Sequence, residues 1–175
     1  MTQPPVIVDP RTKASLYPLA LPCVIDTSAL IYAHRNAYPP ELFPSLWQDL
    51  SAAVVNGRVL ICGKVYDECL AKTDALAEWI EPLKPFVVPH DAAVEHHMAG
   101  IIASYPRLVY KGKIVPRSLA DAALIATAIT RTASVITKED WKDTPKEIGI
   151  PNVCEHYRVP WGRFIELPKL LALSY

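Results

Sequence analysis

Short apolar runs alternate with helix-forming segments along this chain, and this alternation restricts the fold more than any other feature. The runs 22–25, 58–62 and 133–136 are too short for helices and consist mainly of apolar residues, as expected for strands buried on both faces. The segments 40–55 and 119–130 have the apolar spacing or alanine content of helices. Because strands separated by helices form βα units, the pattern predicts an α/β fold with a mainly parallel central sheet.

The first 20 residues differ from the rest, since they contain four prolines and no periodic apolar pattern. Proline removes a backbone hydrogen-bond donor, so we expect residues 1–20 to form an extended arm and residues 21–175 to form one domain. The patterns also predict a short strand at 86–88, a loop over 105–118 and a strand at 162–165.

Charge and cysteine content narrow the class of protein. Lys and Arg together number 18, as do Asp and Glu, whereas proteins that coat nucleic acids carry a basic excess. An enzyme that holds RNA briefly needs only a local basic patch.

The four cysteines lack CxxC or zinc-like spacing, which predicts reduced, packed thiols. No apolar run approaches the ~18 residues of a membrane span, and no secretory signal is apparent, so we expect a cytoplasmic protein.

Acidic residues recur where the predicted strands end. Asp26 directly follows the first strand, Glu68 lies in the helix after the second, and Asp121 lies in the first turn of the alanine-rich helix. Glu139 and Asp140 follow the strand that ends at residue 136. Ligands of open parallel sheets bind beyond the carboxyl ends of the strands. We therefore expect these carboxylates to lie along one edge of the sheet.

Each acid also has an ordinary structural explanation. Asp26 could cap a helix, Ser118 and Asp121 fit a capping box with Asp in place of Glu, and the glutamates could be solvated. If the acids converge, however, each pair ~5 Å apart would repel by roughly 3 kcal/mol at an effective dielectric near 20. Raised pKa values or a bound cation relieve such repulsion. Oxygen ligands select Mg²⁺ or Mn²⁺, which promote phosphodiester hydrolysis.

Four segments resemble, in order, the motifs of PIN-domain nucleases. They are VIDTSAL at 24–30, VYDE at 65–68, DAALIATA at 121–128 and VITKE at 135–139. The stretches 38–41, 43–47 and 150–154 are similar to a bacterial and archaeal PIN branch of largely unassigned function. The resemblance covers about residues 22–173.

This resemblance implies a PIN-like three-layer α/β/α sandwich and a metal-dependent endoribonuclease, often the toxin of a type II toxin–antitoxin pair. It implies Mg²⁺ or Mn²⁺ as cofactor, RNA as substrate, and an antitoxin protein and a second copy of the chain as partners. The catalytic, metal-binding residues would be those at the acidic motif positions: Asp26, Glu68, Asp121 and Glu139. Many PIN domains have Asp at the fourth position, so Asp140 is an alternative ligand, although the register from Thr137 favours Glu139.

Basic residues are concentrated between Glu95 and Asp121, where the chain has no acidic residue. Tyr105 and Tyr110 are interleaved with them. Basic side chains neutralise phosphates and aromatic rings stack on unpaired bases, which predicts an RNA-contacting loop, with an ordinary solvated loop as the alternative. The predicted RNA-binding residues are Arg107, Lys111, Lys113 and Arg117.

Two other functions stay open at this point. A PIN-like interaction module that has lost its activity would keep the fold, although the acidic set is intact. A phosphatase of the haloacid dehalogenase type would use Asp26 as nucleophile, but such enzymes usually have a second Asp two residues later, where this chain has Ser28.

Overall fold

The fold centres on a four-stranded sheet, seen in a computed structural model that describes residues 14–71, 74–114 and 118–173. The strand order is β2-β1-β3-β4, and every neighbouring pair is parallel. The predicted α/β class with a mainly parallel sheet is therefore confirmed. The strands are β1 (Cys23–Ile25), β2 (Val59–Leu60), β3 (Ser134–Ile136) and β4 (Trp161–Gly162).

Helices connect and flank the strands. A π-helical stretch, Ala33–Ala37, extends the first helix, and 3₁₀ segments occupy Glu81–Phe86 and Phe164–Glu166. The α-helices of the described residues are α1 (Thr27–Tyr32), α2 (Pro44–Val55), α3 (Gly63–Leu70), α4 (Ala75–Ile80), α5 (Ala92–Ser104), α6 (Pro106–Tyr110), α7 (Ala120–Arg131), α8 (Ile150–His156) and α9 (Leu167–Leu170).

The alanine-rich helix α7 is the centre of the core. Every residue from Ala120 to Ala128 is buried, and the helix contacts β1, β3, α3, α5, α6 and α8. Small side chains allow such close approach on several sides of one helix, because little volume separates its backbone from its neighbours. Asp121 is the only acidic residue within this buried stretch, so the packing of α7 fixes its position.

The register of the sheet determines which residues meet at its carboxyl edge. Val24 lies beside Leu60 on one side and Val135 on the other. The Asp26 amide donates to the carbonyl of Ile136 at 2.8 Å, and the Thr137 amide donates to the carbonyl of Gly162 at 3.0 Å. Asp26 and Thr137 therefore leave adjacent strands side by side.

Several predicted elements differ from the structure. Helix α2 begins at Pro44 instead of residue 40, because proline suits the first turn of a helix. The expected loop over 105–118 contains α6, and the last strand is Trp161–Gly162 instead of 162–165. Helix α8 was not predicted. The expected strand at 86–88 is reduced to a single bridge between Val88 and Cys62.

The four cysteines are free and buried, as predicted: Cys23, Cys62, Cys69 and Cys154. Of the predicted arm, residues 1–13 lie outside the described residues. The following segment contacts the domain, since Ala20 exchanges two hydrogen bonds with the Ser134 hydroxyl at 2.9 and 2.8 Å. Within the described ranges, no helix has both the length and the apolar character needed to cross a membrane.

Candidate active site

Asp26 is the innermost acid of the candidate site. Only 4% of the residue is exposed, and its Oδ2 accepts hydrogen bonds from Thr137 Oγ1 at 2.9 Å and from the Ser28 hydroxyl. It stands at the cap position of α1, yet its side chain accepts no capping hydrogen bond from the described residues. Burial raises the pKa of Asp26 to about 7, against the two hydrogen bonds and with help from Asp121 and Glu139. The helix-cap explanation therefore does not account for its carboxylate.

Glu68 is held by two hydroxyl groups from different elements. Its Oε2 accepts from Thr27 Oγ1 at 2.7 Å, and its Oε1 accepts from Ser118 Oγ at 2.7 Å. These contacts join the start of α1 and the residues before α7 to α3. Glu68 is half-buried, whereas its neighbour Asp67 is exposed. Glu68 is thus a fixed part of the site and not an ordinary solvated helix residue.

Asp121 has a buried carboxylate oxygen whose partner is an ammonium group. The residue is 8% exposed, and its Oδ2 accepts no hydrogen bond of normal geometry from the described residues. The ammonium of Lys111 lies 2.9 Å from this oxygen, as an ion pair. Burial, followed by the charge of Glu139, raises the pKa of Asp121 to about 6, although Lys111 opposes the shift. A buried carboxylate oxygen needs a cation or a proton, and Lys111 supplies the cation here.

Glu139 and Asp140 point to different neighbours. Glu139 Oε1 lies 3.4 Å from Lys111 Nζ, and Oε2 accepts from the Ile150 amide, at the start of α8, at 3.1 Å. Asp140 instead pairs with Arg163 at 2.7 Å, and 84% of its side chain is exposed. The structure therefore brings Glu139 into the acidic cluster and leaves Asp140, the alternative ligand, outside it.

Hydroxyl groups hold the acids in place, and sequence analysis identified them only in part. Thr137 is fully buried, donates to Asp26 and accepts from the Glu139 amide at 3.0 Å, so it links the first and fourth acids. Its position directly after β3, two residues before Glu139, is the sequence signal that could have indicated this. Ser118, considered as a capping residue, accepts from the Ala120 amide at 3.0 Å and also donates to Glu68.

The three predicted RNA-contacting residues that the structure describes have different surroundings. Lys111 follows α6 in a left-handed conformation (φ 47°) and places its ammonium between Asp121 and Glu139. Burial disfavours its charge, but the two carboxylates outweigh burial and keep the pKa of Lys111 above its usual value. Arg107 pairs with Asp143 at 2.8 Å. Lys113 is exposed, and Arg117 lies outside the described residues.

Comparison with known proteins places the whole site within one family. Residues 23–173 match the model of a family described as a domain of unknown function, DUF4411. The chain belongs to the DUF4411 family. All four acids of the site and Lys111 lie within the part of the chain that defines this DUF4411 domain.

Other comparisons add little about activity. No curated protein matches the sequence. Among solved structures, the DUF4411 domain is similar to a chain in the crystal structure of VapBC2 from Rickettsia felis bound to a DNA fragment from their promoter. The match has 15% sequence identity and a TM-score of 0.47, and covers 81% of this chain and 98% of that one. A likeness this distant supports no statement about what the DUF4411 domain does.

The site has the donors for a hard divalent cation, although Lys111 now stands among them. Carboxylate and hydroxyl oxygens suit Mg²⁺ or Mn²⁺, and the buried Asp121 Oδ2 already has a cationic partner, the ammonium of Lys111, at 2.9 Å. In the described parts of the chain, no three Asp, Glu, His or Cys side chains already form a metal-binding group. The ammonium of Lys111 lies between Asp121 and Glu139, so a metal held by these two carboxylates would have to replace it.

Proposed function

We propose that this DUF4411 domain is a divalent-metal-dependent endoribonuclease that hydrolyses RNA phosphodiester bonds. The observation that carries the proposal is a cluster of four acids from separate elements, in which a single ammonium, that of Lys111, pairs with the buried Asp121 and with Glu139. Electrostatic interactions connect Asp26 with Asp121 and Glu139, and Asp121 with Glu68. The same four positions carry the resemblance to the PIN motifs. Neither helix capping nor a solvated surface accounts for this arrangement.

The charge of the cluster supports a metal over a purely structural role. When all four acids are ionised, the ammonium of Lys111 compensates only one of four negative charges. Excess charge among buried carboxylates is unfavourable unless a cation enters or protons stay bound. When bound, Mg²⁺ or Mn²⁺ would lower the pKa of a coordinated water and stabilise negative charge on the phosphate oxygens.

In this proposal, the four acids bind the cation and Lys111 contacts the RNA. Asp121 and Glu139 would hold the cation where Lys111 now lies, and Asp26 and Glu68, oriented by hydroxyl groups, would complete the oxygen ligands. Lys111, once displaced, carries a mobile ammonium beside the site. It could then neutralise a phosphate of the RNA strand.

The PIN resemblance extends the proposal to biological role. It favours RNA over DNA as substrate, and the toxin half of a type II toxin–antitoxin pair, with an antitoxin protein and a second copy of the chain as partners. The exposed Lys113 is available for phosphate contact. Arg107 is not, because it pairs with Asp143.

Cleavage of a defined RNA pool with Mg²⁺ or Mn²⁺, followed by mapping of the new ends, tests the proposal. We expect Glu68→Gln to lower the cleavage rate by at least roughly 100-fold, since changes even to the neighbours of metal ligands typically cost 10–100-fold. The matched control is Asp67→Asn on the same helix, which removes an exposed acid pointing about 100° away and should cleave normally.

Two results would contradict the proposal. Equal cleavage by Glu68→Gln and Asp67→Asn would remove the acidic cluster from the reaction. Metal binding by the wild-type protein in calorimetry, with no cleavage of any RNA in the pool, would favour an interaction module that has lost its activity.

A further inference from the structure

A cavity of about 290 Å³ opens beside the acidic cluster. It lies between α1 with its π-helical extension, the turn after β3, and the segment after β4. Thr137, which donates to Asp26, forms part of its wall. Thr137 therefore belongs both to the wall of the cavity and to the surroundings of Asp26. The residues that give the cavity its chemistry are Tyr32, Tyr38, Lys138, Asp140, Arg163 and Phe164.

The walls combine aromatic rings with the charged groups of Lys138, Arg163 and Asp140, of which Arg163 and Asp140 pair with each other. Tyr32 is 43% exposed, and the Lys138 ammonium lies 4.9 Å from the centre of its ring. Phe164 and Tyr38 lie against each other, with ring centres 5.5 Å apart. The volume is close to the lower end of the ~300–1,000 Å³ range of ligand pockets. A flat group of the size of one nucleotide base suits such a space.

Arg163 makes one wall of the cavity rigid. It donates to the carbonyl of Thr137 at 3.3 Å and to the carbonyl of Glu139, and it pairs with Asp140. These bonds fix the turn over 137–140, which has Glu139 on the side of the acidic cluster and Lys138 on the side of the cavity. A ligand that bridges the two sides would therefore meet preformed surfaces on both.

We propose that this cavity receives one unpaired base of the RNA strand, adjacent to the phosphate held at the acidic cluster. This inference rests on the proposed nuclease function and adds how the substrate is held. The base would stack on Tyr32, and Lys138 would move from the ring to a neighbouring phosphate. An exposed cation over a ring is a weaker contact than a stacked base together with a neutralised phosphate, so the exchange favours binding.

Charge complementarity favours RNA over an apolar protein side chain as the occupant. An apolar side chain would use the rings but leave the Lys138 ammonium without an anionic partner from the ligand. A nucleotide supplies a flat apolar face, polar edges and an anionic phosphate within one unit. Its neighbouring phosphate reaches the acidic cluster, where the proposed function already requires one.

The test compares RNA with and without a base in proteins that cannot cleave it. In an Asp121→Asn background, binding of a fluorescent single-stranded RNA is measured against the same RNA carrying one abasic nucleotide, moved along the strand. We expect one abasic position to weaken binding by about 10-fold or more, as one lost base stack does. Tyr32→Leu should weaken binding of the intact RNA by a similar factor and remove the difference between the two RNAs.

Matched variants distinguish base stacking on Tyr32 from the general effects of losing an exposed ring or of misfolding. Phe86→Leu is the control, because Phe86 is 42% exposed, against 43% for Tyr32, and does not line the cavity; it should bind both RNAs as the parent does. Tyr32→Phe keeps the ring and should retain the difference, which guards against a folding defect in Tyr32→Leu. Lys138→Ala should lower the log–log salt slope by about 0.7, the value for one phosphate contact to a single strand.

The outcomes distinguish this inference from the proposed function. If the wild-type protein cleaves RNA but Tyr32→Leu binds intact and abasic RNA as its parent does, the nuclease proposal stands and the base site is wrong. The cavity would then be left to an apolar side chain of a protein partner. If the wild-type protein neither cleaves nor binds RNA, both proposals are wrong.

Discussion

Asp26 offers a test of the acidic cluster that needs neither substrate nor metal. Burial raises the pKa of Asp26 from 3.8 to about 7. A raised folded-state pKa means that the folded protein keeps a proton which the unfolded chain has released. The stability that this proton provides is fully present below pH ~4 and is lost as pH rises through about 7. The metal-free protein should therefore become less stable between these two values.

The size of the loss of stability follows from the change in the pKa of Asp26 on folding. A change of about 3 pKa units, at 1.36 kcal/mol each, corresponds to about 4 kcal/mol for Asp26 above pH 7. Solvent screening does little to reduce this figure, since the residue is 4% exposed. Asp121, with its pKa raised to about 6, contributes to the same pH range. Because the charge of Asp121 also raises the pKa of Asp26, the contributions of the two residues do not simply add.

Urea unfolding in EDTA at pH 5 and pH 8 measures the effect. Between pH 5 and the folded-state pKa of about 7, ionisation of Asp26 should lower the free energy of unfolding by about 3 kcal/mol. For a dependence on urea near 2 kcal/mol per M, the midpoint urea concentration of the wild type should fall by roughly 1.5 M. Asp26→Asn cannot ionise, so it should lose less stability over the interval and be more stable than wild type at pH 8. Asp67→Asn, which removes an exposed acid, should behave like wild type.

Either of two results would refute this reasoning. A wild-type midpoint that does not fall between pH 5 and pH 8 would mean that Asp26 is ionised in the folded protein without a penalty. An Asp26→Asn protein no more stable than wild type at pH 8 would mean that the hydrogen bonds from Ser28 and Thr137 stabilise the charged form fully.

Two further predictions concern cations at the same cluster. Lys111→Met should lower the free energy of unfolding of the metal-free protein at pH 8 by about 1–3 kcal/mol, because it breaks a partly buried ion pair. The same variant should be stabilised more than wild type by Mn²⁺ in thermal melts. An unchanged response to Mn²⁺ would contradict competition between the ammonium and the metal. For the wild type, Mn²⁺ at ~100 times its dissociation constant should add about 2.7 kcal/mol, a rise in Tm of roughly 5–10 °C, whereas Glu68→Gln should show a smaller rise. A wild-type Tm that does not respond to Mn²⁺ would mean that the acids do not form a metal site.

The positions of the acids could be predicted because two local rules decide them. Short apolar runs such as 22–25 and 133–136 must be buried strands, and parallel strands end at one edge of a sheet. Asp26 comes directly after β1, and Thr137 comes directly after β3. Because β1 and β3 are adjacent in the sheet, the two residues lie side by side. Asp121 is fixed by α7, whose small residues allow close packing in the core.

The position of Lys111 could not be predicted, because it depends on a backbone conformation that sequence patterns did not reveal. The basic residues from Arg107 to Arg117 were expected to form one solvent-facing loop. Instead the chain forms α6 and leaves it through a left-handed Lys111, followed by Gly112 with φ 72°. This turn directs one basic side chain inward. Likewise, Arg163, far along the chain, pairs with Asp140, whereas Glu139 contacts Lys111.

The cluster tolerates its charge in the metal-free protein by three different means. Asp26 retains a proton near neutral pH, Asp121 and Glu139 share the ammonium of Lys111, and Glu68 accepts hydrogen bonds from two hydroxyl groups. Each means is reversible: a proton can leave, a lysine side chain can rotate and hydroxyl groups can reorient. A purely structural cluster would gain more from permanent pairing with arginine, as Asp140 has with Arg163. The reversible contacts are concentrated at the four acids of the proposed metal site, and contacts of this kind are what exchange with a cation would require.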